Sequence, residues 1–156
     1  MAKDLEPGDK APDFKLPQDG GGTVSLKDFK GRKLVLYFYP KADTSGCTKE
    51  AIAFTRLKSA FAKAGADIVG VSADPVPALD KFKTKHKLGV ALASDEGKDM
   101  LSAYGAWGQK SMWGRLFMGV KRMTFLIDEK GRIARVWPKV KVDGHAEDVL
   151  KAARAL

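Results

Sequence analysis

The chain has 156 residues, of which 44% are apolar, and this size and composition are typical of one compact domain with a substantial core. Its 28 Lys and Arg residues against 19 Asp and Glu residues give a net charge of +9, but the basic residues are scattered, which favours a solvated surface over a nucleic-acid partner. The sequence has no apolar run long enough to span a bilayer, so no membrane partner is expected. It has no secretory signal and a single cysteine, so one cytoplasmic domain over residues 1–156 is expected.

The first predicted elements are a hairpin, a strand and a helix. Gly20–Gly22, between LPQD and TVSL, reads as the turn of an N-terminal hairpin, because a phosphate-binding loop would need a following Lys-Ser or Lys-Thr pair. Lys33–Tyr39 is almost continuously apolar, as in a central strand buried on both faces. From Cys47 to Ala64 the apolar residues recur at steps of three and four, which predicts a helix.

Strands and helices then alternate to the end of the chain. The predicted elements are strand Asp67–Ala73, a helix opening at Asp74-Pro75, strand Val90–Asp95, a short helix near Glu96–Tyr104, strands Lys121–Asp128 and Arg132–Trp137, and a last helix from about His145 to Ala155. Gly131 lies in the tight turn between the last two strands, where a positive φ suits glycine. This order predicts an α/β fold whose early strands are parallel and whose last pair is an antiparallel hairpin.

The segment 106–119, AWGQKSMWGRLFMG, shows no clear period. It is either a lid over a site or a loop anchored by its aromatic residues, and both interpretations stay open. Trp107, Trp113 and Phe117 are candidates to contact an apolar group of a substrate.

Cys47, the only cysteine, lies just beyond the carboxyl end of the first central strand, where open α/β sheets bind ligands. With Thr44 as the N-cap, Cys47 is the third helical residue and lies near unpaired backbone N–H groups and the positive end of the helix dipole. These features favour the thiolate, which is the nucleophilic form. The alternative is a buried cysteine that only fills space in the core, and position alone does not separate the two.

The spacing P-x-x-x-T-x-x-C of Pro40, Thr44 and Cys47 closely resembles the peroxidatic motif of peroxiredoxins, in particular the bacterioferritin comigratory protein or peroxiredoxin Q subfamily. GDKAPDF, VSLKDFKG, GVSAD, AYGAWG and RMTFLID extend the resemblance over nearly the whole chain. It implies a thioredoxin-like fold with an N-terminal hairpin extension. It also implies an antioxidant, thiol-dependent peroxidase that reduces hydrogen peroxide and organic hydroperoxides without a metal or cofactor.

The resemblance also implies a role for each site residue. Cys47 attacks the peroxide and becomes a sulfenic acid. The Thr44 hydroxyl accepts from the peroxide while donating to the thiolate, alongside its possible role as a plain N-cap. Arg122 holds the thiolate and donates to the peroxide oxygens, the alternative being a surface arginine at the start of a strand. Glu50 orients that arginine, or is simply a solvated glutamate, and Pro40 shields the sulfenic acid from water.

Two departures from the subfamily pattern stand out. Ser45 occupies a position that is often proline, with only a modest effect expected. A resolving cysteine is often found five residues after the first or on the helix after the second strand, but the first position is Ile52 and Val76–Leu88 contains none. The chain therefore looks like a one-cysteine form, expected to be monomeric and recycled by thioredoxin, glutaredoxin or glutathione.

Two other classes of function are alternatives. A cysteine hydrolase or acyltransferase would need a histidine base near Cys47, and only His86 and His145 exist; both are interpreted as surface or packing residues. A basic binding module without catalysis would keep its function in a Cys47→Ser variant and lose affinity steeply with salt.

Overall fold

The computed structural model describes residues 4–156. The first three residues, which belong to the predicted domain and to the segment searched for a secretory signal, lie outside the described residues. The strands are β1 (Lys15–Pro17), β2 (Thr23–Ser25), β3 (Lys33–Phe38), β4 (Ala66–Ser72), β5 (Ala91–Ser94), β6 (Trp107–Met112), β7 (Arg115–Val120), β8 (Met123–Ile127) and β9 (Ile133–Trp137). The helices are α1 (Ser45–Lys63), α2 (Val76–His86), α3 (Asp99–Ala103) and α4 (His145–Ala155).

Five strands form the central sheet in the order β5-β4-β3-β8-β9. β4 is parallel to both β3 and β5, whereas β8 is antiparallel to both β3 and β9. This arrangement confirms the predicted α/β fold with early parallel strands and a final antiparallel pair. β3 lies in the middle of the sheet, and it is buried from Leu34 onward, as its continuous apolar run predicts.

Alternate residues of β3 face two separate apolar clusters, because successive side chains of a strand point to opposite faces. Val35 and Tyr37 pack with residues of α1, α2 and α4. Leu36 and Phe38 pack on the other face with residues of α3 and of the N-terminal segment. α1 packs on one face of the sheet. Because it is the helix that follows β3 in the chain, it begins beyond the carboxyl end of the central strand.

The N-terminal hairpin has the predicted form. β1 and β2 are antiparallel, and Gly20, Gly21 and Gly22 all have positive φ, which glycine adopts without steric cost. The predicted short helix near Glu96–Tyr104 is confined to Asp99–Ala103. Among residues 4–156, no helix combines the length and the apolar character needed to cross a membrane.

The segment 106–119, predicted as a lid or a loop anchored by its aromatic residues, forms a regular β-hairpin, so the interpretation as a loop is wrong. β6 and β7 are antiparallel, with Trp107 opposite Val120 and Met112 opposite Arg115. The two-residue turn consists of Trp113 and Gly114, both with positive φ, as a type I′ hairpin turn requires. Alternation is hard to read here because apolar side chains occur on both faces of the hairpin.

Candidate active site

Cys47 is the third residue of α1 and is only 1% exposed. Thr44 stands at the N-cap position with extended backbone, as predicted, but its side chain makes no capping hydrogen bond. Its hydroxyl donates instead to the Lys41 carbonyl oxygen at 2.8 Å. A hydroxyl has one proton and two lone pairs, so Thr44 in this conformation can accept from a ligand but does not donate to the Cys47 sulfur.

The loop before α1 is tied to neighbouring elements by polar contacts. Asp43 has a φ of 62°, a left-handed conformation that aspartate tolerates better than most residues. Its carboxylate accepts from Lys85 Nζ and lies against His86 Nε2, both at 2.8 Å, and hydrogen bonds from these two residues lower the pKa of Asp43. The Ala42 N–H donates to Asp74 Oδ2 at 2.8 Å. These contacts fix the path of the chain into the helix that carries Cys47.

Arg122 joins the predicted site residues, although it is 75 residues away from Cys47 in the chain. Its Nη2 donates to Cys47 Sγ at 3.3 Å, and its Nη1 donates to Glu50 Oε1 at 2.8 Å. Gly46 leaves room for this approach, because a Cβ at that position would lie 3.2 Å from Arg122 Nη2. The structure therefore brings Cys47, Glu50 and Arg122 together, with the guanidinium between the sulfur and the carboxyl group.

Glu50 lies one turn beyond Cys47 and is 1% exposed. Burial raises its pKa to about 7, and the charge of Arg122 offsets this rise only in part. Oε2 of Glu50 has no hydrogen-bond partner among residues 4–156, which agrees with a carboxyl group that is poorly stabilised as an anion. Burial also disfavours the charge of Arg122, but Glu50 and Cys47 together hold the pKa of that guanidinium above its usual value. The positive charge beside the sulfur is therefore permanent.

A pH-dependent stability is expected from Glu50. Its pKa is about 7 in the folded protein against a usual 4.5, so the native state holds more protons than the unfolded state between these values. The stabilisation is complete below pH 4.5 and is lost as pH rises through 7. Glu50→Gln lacks this titration. The free energy of unfolding of the variant should therefore rise by roughly 2 kcal/mol relative to that of wild type between pH 5 and pH 7.5.

Urea unfolding at the two pH values measures this difference. The matched control is Glu129→Gln, because Glu129 is an exposed carboxylate and should give the same difference from wild type at both pH values. If the gap between Glu50→Gln and wild type did not change with pH, Glu50 would have an ordinary pKa.

Lys110 is a site neighbour that the sequence analysis counted only as a surface charge. It lies on β6 and donates from Nζ to the Val120 carbonyl oxygen at 2.9 Å. Burial and the nearby charge of Arg122 lower its pKa, while Cys47 acts in the opposite direction. A second cation therefore lies beside Arg122, in a cavity that both residues line. The sequence gives little indication that Lys110 belongs to the site, because its position on a strand is evident only once β6 and β7 are seen to pair.

The other predicted residues differ in their exposure and in their place in the fold. Pro40 is half-buried and follows the last buried residues of the central strand. Trp107 lies at the base of the β6–β7 hairpin, where Lys98 Nζ is 5.2 Å from its ring centre. Trp113 is in the distal turn and is 92% exposed, and Phe117 is 41% exposed. The structure does not bring Trp113 to Cys47.

Neither histidine is hydrogen-bonded to Cys47 in the part of the chain that the structure describes. His86 contacts Asp43, and His145 Nε2 lies 2.8 Å from Thr124 Oγ1. Burial lowers the pKa of His145 to about 4, so this imidazole is neutral at physiological pH. The described residues also contain no group of three or more His, Cys, Asp or Glu side chains that could hold a metal ion. A hydrolase mechanism with a histidine base at Cys47 has no support here.

Comparisons with known proteins agree over nearly the full chain. A model described as the AhpC/TSA family matches residues 7–136. Peroxiredoxin Bcp of Bacillus subtilis is 44% identical over 150 residues, covering 96% of each chain. Peroxiredoxin Bcp of Escherichia coli strain K12 is 40% identical over 146 residues, covering 94% of each. A structure that concerns the alkyl peroxide reduction activity of Xanthomonas campestris bacterioferritin comigratory protein is 38% identical, with a TM-score of 0.88, and the match covers 99% of this chain and 98% of that one.

Proposed function

The chain belongs to the AhpC/TSA family as a peroxiredoxin with a thioredoxin-like fold, and we propose that Cys47 is its peroxidatic residue. The protein is a thiol-dependent peroxidase. The observation that carries the residue assignment is the 3.3 Å hydrogen bond from Arg122 Nη2 to Cys47 Sγ at the start of α1. A guanidinium and a helix N-terminus both favour the negatively charged sulfur that attacks peroxides.

The proposed reaction transfers one oxygen from the peroxide to Cys47. The thiolate attacks the terminal oxygen, the O–O bond breaks, and the other oxygen leaves as water or alcohol after taking up a proton, while the sulfur becomes a sulfenic acid. Arg122 donates to the oxygen on which negative charge develops. Thr44, whose lone pairs are available, accepts from the peroxide O–H. Pro40 limits access of water to the sulfenic acid.

Glu50 acts as a positioning residue for Arg122. Its Oε1 holds Nη1 of the guanidinium at 2.8 Å, so that Nη2 points toward the sulfur. Because burial raises the pKa of Glu50 to about 7, the carboxyl group accepts the hydrogen bond while cancelling only part of the charge of Arg122 near pH 7. The orientation of the guanidinium is thus maintained and its charge remains available to the thiolate.

Reduction of the sulfenic acid proceeds with thiols from outside the chain, since Cys47 is the only cysteine. One thiol condenses with the sulfenic acid to form a mixed disulfide and water, and a second thiol displaces Cys47 from that disulfide. Thioredoxin, glutaredoxin and glutathione are the proposed reductants. A single cysteine suits the reducing cytoplasm, and we propose a cytoplasmic monomer whose residues 1–156 form one domain.

The proposed substrates are hydrogen peroxide and organic hydroperoxides. Support for the organic substrates comes from the alkyl peroxide reduction activity named for the Xanthomonas campestris relative. Cys47 is 1% exposed, so a bulky hydroperoxide requires the loop before α1 or the base of the hairpin to open. Trp107, half-buried at that base, is the candidate to contact its apolar group.

Intact-mass analysis tests this function directly. With one equivalent of peroxide and no reductant, the protein should gain one oxygen on Cys47, and a small thiol or a thioredoxin system should restore the reduced mass. Excess peroxide without a thiol should produce the sulfinic acid, which such thiols do not reduce. An unmodified Cys47 with no peroxide consumed would contradict the peroxidase function. A disulfide dimer that formed faster than any sulfenic acid could be trapped would contradict only the one-cysteine resolving step.

A further inference from the structure

Large exposed apolar side chains are concentrated on the β6–β7 hairpin. Among residues 4–156 they are Met112, Trp113, Leu116, Phe117 and Met118, together with Leu156 at the C-terminus. Trp113 is 92% exposed and Leu116 is 67% exposed. We refer to residues 111–118 as the hairpin tip. An exposed apolar cluster of this kind marks an interaction surface.

The apolar side chains of the tip lie on both faces of the hairpin. Leu116 and Met118 share one face, while Met112 and Phe117 share the other, because residues paired across an antiparallel ladder lie on the same side and alternate along each strand. Trp113 projects from the turn between them. Within the described residues, β6 and β7 form a sheet of their own. A partner that covers one face leaves the other exposed, whereas a fluid interface surrounds the whole tip.

Along the sequence, the charged residues of the hairpin and its flanks are all basic. Residues 100–127 contain no Asp or Glu; their charged residues are Lys110, Arg115, Lys121 and Arg122. Arg115 is exposed beside the turn, whereas Lys121 lies at the base of the hairpin, where it lines a cavity with Asp4 and Glu6. The tip itself therefore carries one cation and no anion. With a net charge of +9, a second copy of the chain is repelled, while an anionic surface is attracted.

We propose that the hairpin tip docks on a bilayer surface that contains anionic lipids. Apolar side chains of the tip, with Trp113 at its end, enter the interface by about 5–10 Å, indole rings being favoured in this region, and Arg115 beside the turn contacts lipid phosphates. The unpaired edges of the two strands keep the hairpin at the hydrated interface, because unsatisfied backbone groups are costly in hydrocarbon. This proposal departs from the expectation of no membrane partner and involves no transmembrane segment.

Docking at the tip would hold the chain at the bilayer through the hairpin at whose base the active site lies. β7 ends at Val120, two residues before Arg122, whose guanidinium donates to Cys47 Sγ at 3.3 Å. A hydroperoxide on an acyl chain at the interface is the substrate class that such a position favours. This last step rests on the proposed peroxidase function, whereas the docking itself does not.

Cosedimentation with vesicles tests the docking. Wild-type protein should bind vesicles containing phosphatidylglycerol, bind pure phosphatidylcholine vesicles weakly, and lose affinity as salt rises. The double variant Leu116→Ser, Met118→Ser should bind about tenfold less tightly or weaker, and Arg115→Gln about fivefold less tightly. Two matched controls should bind like wild type, namely Leu156→Ser for an exposed apolar residue and Arg154→Gln for an exposed cation on α4.

The outcomes separate docking from catalysis. Cys47→Ser should bind vesicles like wild type, so a failed peroxidase assay would leave the docking result intact. Leu116→Ser, Met118→Ser should reduce hydrogen peroxide at the wild-type rate in the absence of lipid, which also shows that the variant is folded. Vesicle binding equal for neutral and anionic lipids, or unchanged in the tip variants, would overturn the proposal. A concentration-dependent dimer that these variants dissociate would make the tip a self-association surface instead.

Discussion

The Cys47→Ser variant is expected to lose thiol-dependent peroxide reduction down to the uncatalysed rate. A serine hydroxyl is not ionised near neutral pH, and no histidine is bonded to this position within the described residues to take its proton. The fold should persist, because oxygen replaces sulfur in a buried site that already offers a hydrogen-bond donor from Arg122 Nη2. Peroxide consumption with excess thiol measures the activity, and circular dichroism with a thermal melt checks the fold.

This variant also separates the peroxidase from the two other classes of function. A folded Cys47→Ser protein with substantial turnover would contradict the assignment of Cys47. A basic binding module would instead keep its ligand affinity in the same variant and lose it at high salt. A cysteine hydrolase would lose activity too, but the wild-type protein would then consume an ester or amide substrate and show no thiol-dependent loss of peroxide.

The central fold was predictable because its patterns are unambiguous. The apolar run of β3 has no polar interruption between Leu34 and Tyr39, and its shortness and aromatic content favour a strand buried on both faces over a buried helix. The stripe in α1, including Phe54 and Phe61, faces the sheet as its spacing indicates. The position of Cys47 as the third residue of α1 was predictable from local sequence alone, because the end of β3 and the start of α1 could both be recognised.

Other features depend on contacts between distant segments. Periodicity failed for β6 and β7 because apolar residues on both faces of an exposed hairpin remove the alternation that marks a half-buried strand. Lys110 was missed for the same reason, since its approach to the site follows from that pairing. The hydroxyl of Thr44 could be assigned to a cap or to a ligand, and only the structure shows that it donates to Lys41.

The group formed by Arg122, Cys47 and Glu50 was reached through family resemblance and not through spacing. No local rule connects an arginine after β7 with a helix that starts 77 residues earlier, at Ser45. Burial of Glu50 is also invisible in the sequence, where a glutamate on the first turns of a helix is ordinarily solvated. The electrostatics of the site therefore depend on the tertiary structure, and they are what the remaining prediction tests.

The Arg122→Met variant is expected to react with peroxide about 10²- to 10³-fold more slowly than wild type, the range found when one preorganised donor to a developing charge is removed. Methionine keeps most of the length and the apolar stem of arginine but removes both the charge and the hydrogen bond to Cys47 Sγ. The sulfur loses a neighbouring cation and its hydrogen-bond donor, so alkylation of Cys47 by iodoacetamide at neutral pH should also slow down. Stopped-flow oxidation and alkylation kinetics measure the two effects separately.

Three further variants decide between a direct and a structural role for Arg122. Arg56→Met removes an exposed arginine from the same helix as Cys47 and should leave both rates unchanged. Arg122→Lys should lose most of the rate, because one ammonium group lacks the planar fork that serves the sulfur and the carboxyl together. If Arg122 acts on the sulfur and Glu50 only orients it, adding Glu50→Gln to Arg122→Met should cost little further activity. A double variant much slower than Arg122→Met would show that Glu50 acts on the reaction by another route, and a wild-type rate in Arg122→Met would remove the guanidinium from the mechanism.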